Sequence, residues 1–187
     1  YFITDISNVQ SIMRYGILSH NEASRIQHCS IAEQGVQERR QNKRIPGTNK
    51  HLHDYANVYF DAHNPMLSAR RHMNDNICVL RISPDILALD GVIVTDQNAS
   101  RDCWFKPVSE GLPLLDHSEI FAQFWINRED FFEEYRLKGI KCAEVLVPTC
   151  IDPCHIVGAF VANATASNNY RQISNLPVGI NANMFFY

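Results

Sequence analysis

The sequence predicts an α+β domain, with mixed or antiparallel β-sheets at its core and helices around them, and three observations lead there. Short apolar runs of strand character are interspersed with helical patterns, without a regular strand–helix–strand alternation. No glycine-rich phosphate fingerprint follows any strand, which separates the chain from doubly wound dinucleotide folds. The 187 residues are 45% hydrophobic and 20% charged, with ten Phe, seven Tyr and two Trp, enough for one well-cored domain over 1–187. That composition also excludes wholesale disorder.

Phe2-Ile3-Thr4 reads as a first strand. Ser7 with Gln10 three residues on matches a capping box; Val9, Ile12 and Met13 share a helical face, and Gly16 terminates it. Residues 20–54 are polar and irregular, with one short helix expected over 36–41 and a turn at Pro46-Gly47. Residues 57–60 form a strand, and Asn64-Pro65-Met66 opens a short helix with Pro65 in its first turn. Further strands are expected over 77–82 and 92–95. The longest helical signal spans 118–138, where Phe121, Phe124, Trp125, Phe131, Phe132 and Tyr135 recur at helical intervals before Gly139 supplies the stop. Strands follow over 141–148 and 155–161, and 163–181 is polar and loop-like before Met184-Phe185-Phe186-Tyr187.

A net charge of −3 excludes a uniformly basic nucleic-acid coat. One local run departs from that balance: Arg39, Arg40, Lys43, Arg44, Lys50, His51 and His53 lie close together without an intervening acid. Such a run suits a phosphate-bearing ligand or a solvated basic loop. The six cysteines are too sparse and irregular for a disulfide scaffold, so reduced thiols in a cytoplasmic protein are expected. Cys150, Cys154 and His155 lack the paired short spacing of structural zinc sites, and no metal is expected. No apolar run reads as a membrane helix or a signal peptide, so no membrane partner is expected.

The most informative stretch is Lys141-Cys142-Ala143-Glu144-Val145-Leu146-Val147-Pro148, an apolar strand with an acid inside it. Alternation sets Ala143, Val145 and Val147 on one face and Glu144 with Leu146 on the other. A lone carboxylate beside Leu146 is costly to bury, so Glu144 lines a cleft or has a partner.

Several segments together resemble the DarT-type DNA ADP-ribosyltransferase toxins. They are Ile6-Ser7-Asn8-Val9 with Tyr15-Gly16-Ile17-Leu18, Glu38-Arg39-Arg40, His53 to Phe60 with Asn64-Pro65-Met66-Leu67, Thr95 to Ser100, and Lys141 to Val147. They occur in order from residue 1 to about residue 160. The resemblance implies an ADP-ribosyltransferase-like fold with a split β-sheet core, NAD as donor, and a base in single-stranded DNA as acceptor. It also implies a cognate antitoxin, an ADP-ribosyl-DNA glycohydrolase. Glu144 and Arg40 become the catalytic candidates, with Arg39 the alternative inward-pointing arginine. Phe2, Thr4, Asn8, Gly16, Leu18, Arg39, Tyr55, Tyr59, Phe60 and Met66 become the candidates for holding NAD. Phe2 stands where many members carry His, which leaves Thr4 or a backbone group to bond the ribose.

Breaking the nicotinamide–ribose bond develops positive charge on the sugar, which a carboxylate beneath the ring stabilises. The same carboxylate can relieve a base nitrogen of its proton. Arg40 offers a planar fork to the pyrophosphate or to the acceptor. Single strands are the expected acceptor, because a paired base cannot present its edge without extrusion. Lys43 and Arg44 in the basic run, and Asn98, Arg101, Trp104 and Lys106 further on, are the candidate DNA contacts. A non-catalytic single-stranded nucleic-acid-binding module would use the same bases and aromatics. A metal nuclease could be built on His51, His53, Asp54 and the segment Cys150 to His155, and transfer to RNA or protein is a variant of the preferred class.

Overall fold

The computed structural model describes residues 1–187. In chain order the elements are β1 (Phe2–Asp5), α1 (Val9–Tyr15), β2 (Ile17–Leu18), α2 (His20–Ala23), α3 (Gln34–Gln41), β3 (Tyr55–Tyr59) and α4 (Pro65–Ala69). There follow β4 (Ile77–Ile82), β5 (Ile93–Thr95), β6 (Phe105–Pro107), α5 (Val108–Gly111), α6 (His117–Ile120) and α7 (Phe131–Ile140). The last are β7 (Glu144–Pro148), β8 (Cys150–Ile151), β9 (Ile156–Val161), α8 (Ala164–Arg171) and β10 (Val178–Ile180).

Two four-stranded sheets form the core, ordered β1-β4-β9-β10 and β3-β7-β5-β6, with a small β2-β8 ladder beside them. The first is mixed, since β9 and β10 run parallel while β1, β4 and β9 are antiparallel; the second is antiparallel throughout. Val58, Val94, Val145 and Val147 of one sheet pack with Cys78, Leu80, Ala159 and Val161 of the other in one cluster. The expected α+β architecture with a split, mixed and antiparallel core is what the chain adopts.

Local chemistry explains the elements that match and those that do not. Asn64 caps α4 by accepting from the Leu67 amide, with Pro65 in the first turn where its missing N–H costs nothing. Gly16 closes α1 at φ 86°, and a Cβ there would lie 2.4 Å from both Cys150 Sγ and the Ile151 carbonyl oxygen. Only glycine lets the β2-β8 ladder form against that turn.

The Ser7 capping box does not form. Asp5 caps the chain instead, accepting from the Ser7 amide at 2.9 Å, and a 3-10 turn over Ile6–Asn8 leads into α1. The single helix over 118–138 is two short ones. Asp116 caps α6 and Asp130 caps α7, each accepting from backbone amides of the first turn. Between them Trp125 turns inward against His63 and Phe186, while Phe124 and Phe132 are 81% and 84% exposed. Gly139 lies inside α7 and is not its stop. The stretch 163–181 contains α8, capped by Asn163, and the edge strand β10. Residues 20–54 hold α2 and α3.

Lys141 joins these pieces. Its ammonium is wholly buried and donates to the Asp61 carboxylate, to the Ile120 carbonyl at 2.7 Å and to the Ala122 carbonyl at 2.8 Å. A buried charge is tolerated because every proton has an acceptor. The α6–α7 connection is thereby tied to the turn that delivers the chain into β7.

Candidate functional site

A cavity of about 510 Å³ opens between β1, β3, α3, α4 and the segment 28–33. One of its lining residues, Arg40, forms a buried ion pair that links α3 to β7. Arg40 Nη1 donates to Glu144 Oε1 at 2.9 Å and to Oε2 at 3.1 Å, and Nη2 donates to Oε2 at 3.1 Å. The Ala99 amide adds a fourth hydrogen bond, at 2.9 Å to Oε1. Glu144 is wholly buried and Arg40 is 5% exposed.

The strand explains how the acid is held. Glu144 opens β7 opposite Tyr59 of β3, and its amide donates to Thr95 Oγ1 at 3.2 Å. Val145 and Val147 enter the main core, and Leu146 joins Ile45, Leu52, Tyr55, Ile93 and Ala99. The carboxylate thus has its partner, as burial beside Leu146 demands.

Arg40, not Arg39, turns inward; Arg39 is exposed at the rim. Burial works against the Arg40 charge, yet Glu144 beside it raises its pKa above the ordinary arginine value. Burial and then Glu144 hold the Tyr59 phenol well above the usual tyrosine range, so it stays a neutral donor. Burial, with Glu144 adding to it, pushes the Cys142 thiol up to about 12.

Of the residues singled out from sequence, Phe2, Thr4 and Asn8 line the cavity from β1 and the turn after it, and Leu18, Tyr55, Tyr59 and Met66 line it from other sides. Asn98 and Arg101 reach it from the segment after β5. Glu144 itself does not line it, because Arg40 lies in front. Gly16 is in the α1–β2 turn, and Phe60 packs between hydrophobic clusters. Lys43 donates to the Arg101 carbonyl and lies 5.5 Å from the Phe105 ring, so it braces a loop. Arg44 pairs with His51 in an isolated bridge. Trp104 packs against the core, and Lys106 is half-buried on β6, paired with Val94; neither lines the cavity.

The segment 28–33 is the main lining that sequence reading missed. Asn8 holds it: its Nδ2 donates to the Cys29 carbonyl at 2.8 Å and to Thr4 Oγ1 at 3.1 Å, while its Oδ1 accepts from the Cys29 amide at 2.8 Å. Arg70 Nε donates to the Ile31 carbonyl at 2.7 Å. Met66, Ala69 and Arg70 all line the cavity at positions one helical turn apart, a spacing that could have been read. No group of three or more His, Cys, Asp or Glu side chains is arranged to hold a metal ion. All six cysteines are unpaired, and no helix is long and apolar enough to cross a membrane.

His53 stacks on His20 with ring centroids 3.9 Å apart, and its Nε2 faces Gln37 Oε1 at 3.1 Å. Burial, then the neighbouring His20 and Arg40, lower its pKa to about 4, with Asp54 opposing. An unfolded histidine binds its proton near pH ~6.5. The unfolded chain therefore gains protons first as pH falls, and stability is lost from about pH 6.5 down to about 4. Urea midpoints at pH 7 and pH 4.5 should differ, and by less in His53→Phe.

The family model described as ssDNA thymidine ADP-ribosyltransferase, DarT, matches residues 1–186. A DNA ADP-ribosyl transferase of Thermus sp. strain 2.9 is 31% identical over 160 residues, covering 79% of this chain and 73% of the relative. A DNA ADP-ribosyl transferase–DNA ADP-ribosyl glycohydrolase fusion protein of Thermosipho africanus is 28% identical over 200 residues, covering all of this chain. The chain spans about half the length of that fusion, 49%. Among solved structures, Thermus sp. 2.9 DarT in complex with ADP-ribosylated ssDNA superposes with a TM-score of 0.81 at 25% identity, covering 99% of this chain and 94% of the other. Thermosipho africanus DarTG in complex with ADP-ribose gives 0.81 at 28% identity, covering 99% and 50%. With its whole length matched and its fold shared, the chain belongs to the DarT family of ssDNA thymidine ADP-ribosyltransferases.

Proposed function

We propose that this chain is an NAD-dependent mono-ADP-ribosyltransferase that modifies thymine in single-stranded DNA, and that 1–187 acts as one domain. The observation that carries the reading is the buried Arg40–Glu144 pair at the end of a 510 Å³ cavity. That volume suits a dinucleotide. Thr4 and Tyr59 supply hydroxyls toward the donor, Asn8 holds the lining segment 28–33 in place, and Arg39 and Arg70 supply charge for a pyrophosphate.

In the reaction, the bond between ribose C1′ and the nicotinamide nitrogen breaks, and its electron pair leaves with neutral nicotinamide. Thymidine has one ring N–H, at N3. That nitrogen gives its electron pair to C1′ and loses its proton to the protein. Glu144 is the final acceptor, because it is the buried carboxylate that Arg40, a lining residue, ties to the cavity, whereas Glu33 lies exposed on the segment 28–33. Both its oxygens are occupied by Arg40, so the fork must leave Oε2 before a proton arrives, while the Ala99 amide keeps Oε1 in place. Arg40 is the group a ligand meets first.

A toxin role, a partner that removes ADP-ribose from DNA, and a cytoplasmic location complete the proposal. The partner is supported by the Thermosipho relative, whose name joins transferase to DNA ADP-ribosyl glycohydrolase in one chain. The location is supported by the six unpaired thiols.

The test is incubation with NAD and mixed oligonucleotides, single-stranded or duplex, followed by nucleoside masses. An ADP-ribose mass gain on thymidine from single strands alone is expected. A gain on guanosine would move the acceptor, and no NAD consumption would leave a binding module.

A further inference from the structure

We propose that Arg101, lying flat against Tyr135, is a stacking plate for the nucleotide next to the acceptor base, an inference that rests on the DNA reading above. The Arg101 guanidinium carbon sits 3.9 Å from the centre of the Tyr135 ring, and Nη1 donates to the Tyr135 carbonyl. The backbone beneath is pinned on three sides. The Arg101 amide donates to the Asn98 carbonyl at 2.9 Å, the Asn98 amide donates to the Gly139 carbonyl at 2.9 Å, and Lys43 donates to the Arg101 carbonyl.

Gly139 leaves room for this arrangement. A Cβ on it would lie 2.5 Å from Arg101 Nη1 and 2.4 Å from Gln97 Oε1. A glycine inside a helix costs stability, so its presence where the guanidinium passes is accounted for by that close approach.

Arg101 makes no ion pair with a carboxylate, unlike Arg40 and Arg136. Its Nη1 is used by Tyr135, and no protein acceptor engages Nε or Nη2. The side chain is half-buried and lines the cavity, as does Lys138 one turn beyond Tyr135. A planar cation with an aromatic ring on one face and unused donors on its edge matches a nucleobase, which stacks on the plane and bonds at the rim. The Lys138 ammonium itself is paired with Glu134 at 2.6 Å, which leaves Arg101 as the unpaired cation of this wall. The chemistry differs from the donor side, where Asn8 spends its amide and Arg70 its Nε holding the segment 28–33.

Two protein variants and three oligonucleotides test this. Arg101→Lys keeps the charge and removes the plane; Tyr135→Leu, at a 55% exposed position, removes the backing ring without disturbing the core. The oligonucleotides carry one acceptor thymidine with an intact neighbour or an abasic neighbour, placed in turn on each side. With the intact neighbour, both variants should lose about tenfold in kcat/KM for DNA, a value typical of one stacked base, with KM for NAD unchanged. The abasic neighbour on one side should cost the unaltered protein about tenfold and the variants almost nothing further. The plate is wrong if Arg101→Lys keeps the full preference for an intact neighbour, or if its defect lies in KM for NAD. If the unaltered protein modifies DNA but is indifferent to abasic neighbours, the plate alone fails. If it modifies no DNA at all, the parent reading fails with it.

Discussion

Glu144→Gln is expected to lower DNA modification by about 10³-fold while NAD affinity stays within a few-fold of normal. The reasoning starts from position. Glu144 contributes no surface to the cavity, so a donor that binds in it touches Arg40 and not the carboxylate. The acid is needed when charge develops on the ribose and when the base nitrogen sheds its proton, both transition-state events. Gln keeps the shape and can still accept from the Ala99 amide and one arm of Arg40. It cannot take a proton, and it offers no charge to an oxocarbenium ion. The same change leaves Arg40 buried beside a neutral partner, so a loss of about 3 kcal/mol in unfolding free energy should accompany it. Calorimetric NAD titration, turnover on an oligonucleotide and a urea melt separate the three quantities. Near-normal modification by a folded, NAD-binding Glu144→Gln protein would remove the carboxylate from the chemistry.

The parts of the fold legible in the sequence are those where apolar residues are also buried ones. The strand over 77–82 matches β4 residue for residue, because Ile77, Cys78, Val79 and Leu80 are all wholly buried between neighbours on both sides. Between 118 and 138 the same logic fails. Periodicity equates apolar with buried, and Phe131, Phe132 and Tyr135 are instead exposed. The informative signals there were Asp116 and Asp130, each followed three residues later by Glu, which mark two separate helix starts. Helix α8 was missed for the opposite reason, since its buried face is Ala166, Ser167 and Tyr170, too small and polar to register as a stripe. At the site, the misfit of one acid in an apolar strand was readable. Its partner lies 104 positions away, and no spacing rule connects them. The segment 28–33 carries no pattern, because Asn8 and Arg70 hold it through its backbone carbonyls and amides.

Arg40→Lys should reduce turnover by about 10²-fold or more, whereas Arg39→Lys should change it less than threefold. The adjacent arginines are chemically identical, and only burial separates them. Arg40 engages both carboxylate oxygens through two nitrogens, and this planar fork fixes the rotation of Glu144 about its side chain. A lysine ammonium at the end of α3 is a point charge on a flexible stem. It can neutralise Glu144 but cannot hold both oxygens in one plane, and it leaves lone pairs unsatisfied in a buried site. Arg39 is exposed at the rim, where the charge matters and the fork does not. Because Arg40 and Glu144 act as a unit, the Arg40→Lys, Glu144→Gln double variant should be little worse than Glu144→Gln alone, so the two losses should not multiply. Fully multiplicative losses would mean the two side chains serve separate steps. Unchanged turnover in Arg40→Lys would make the ion pair a structural feature of the α3–β7 contact and nothing more.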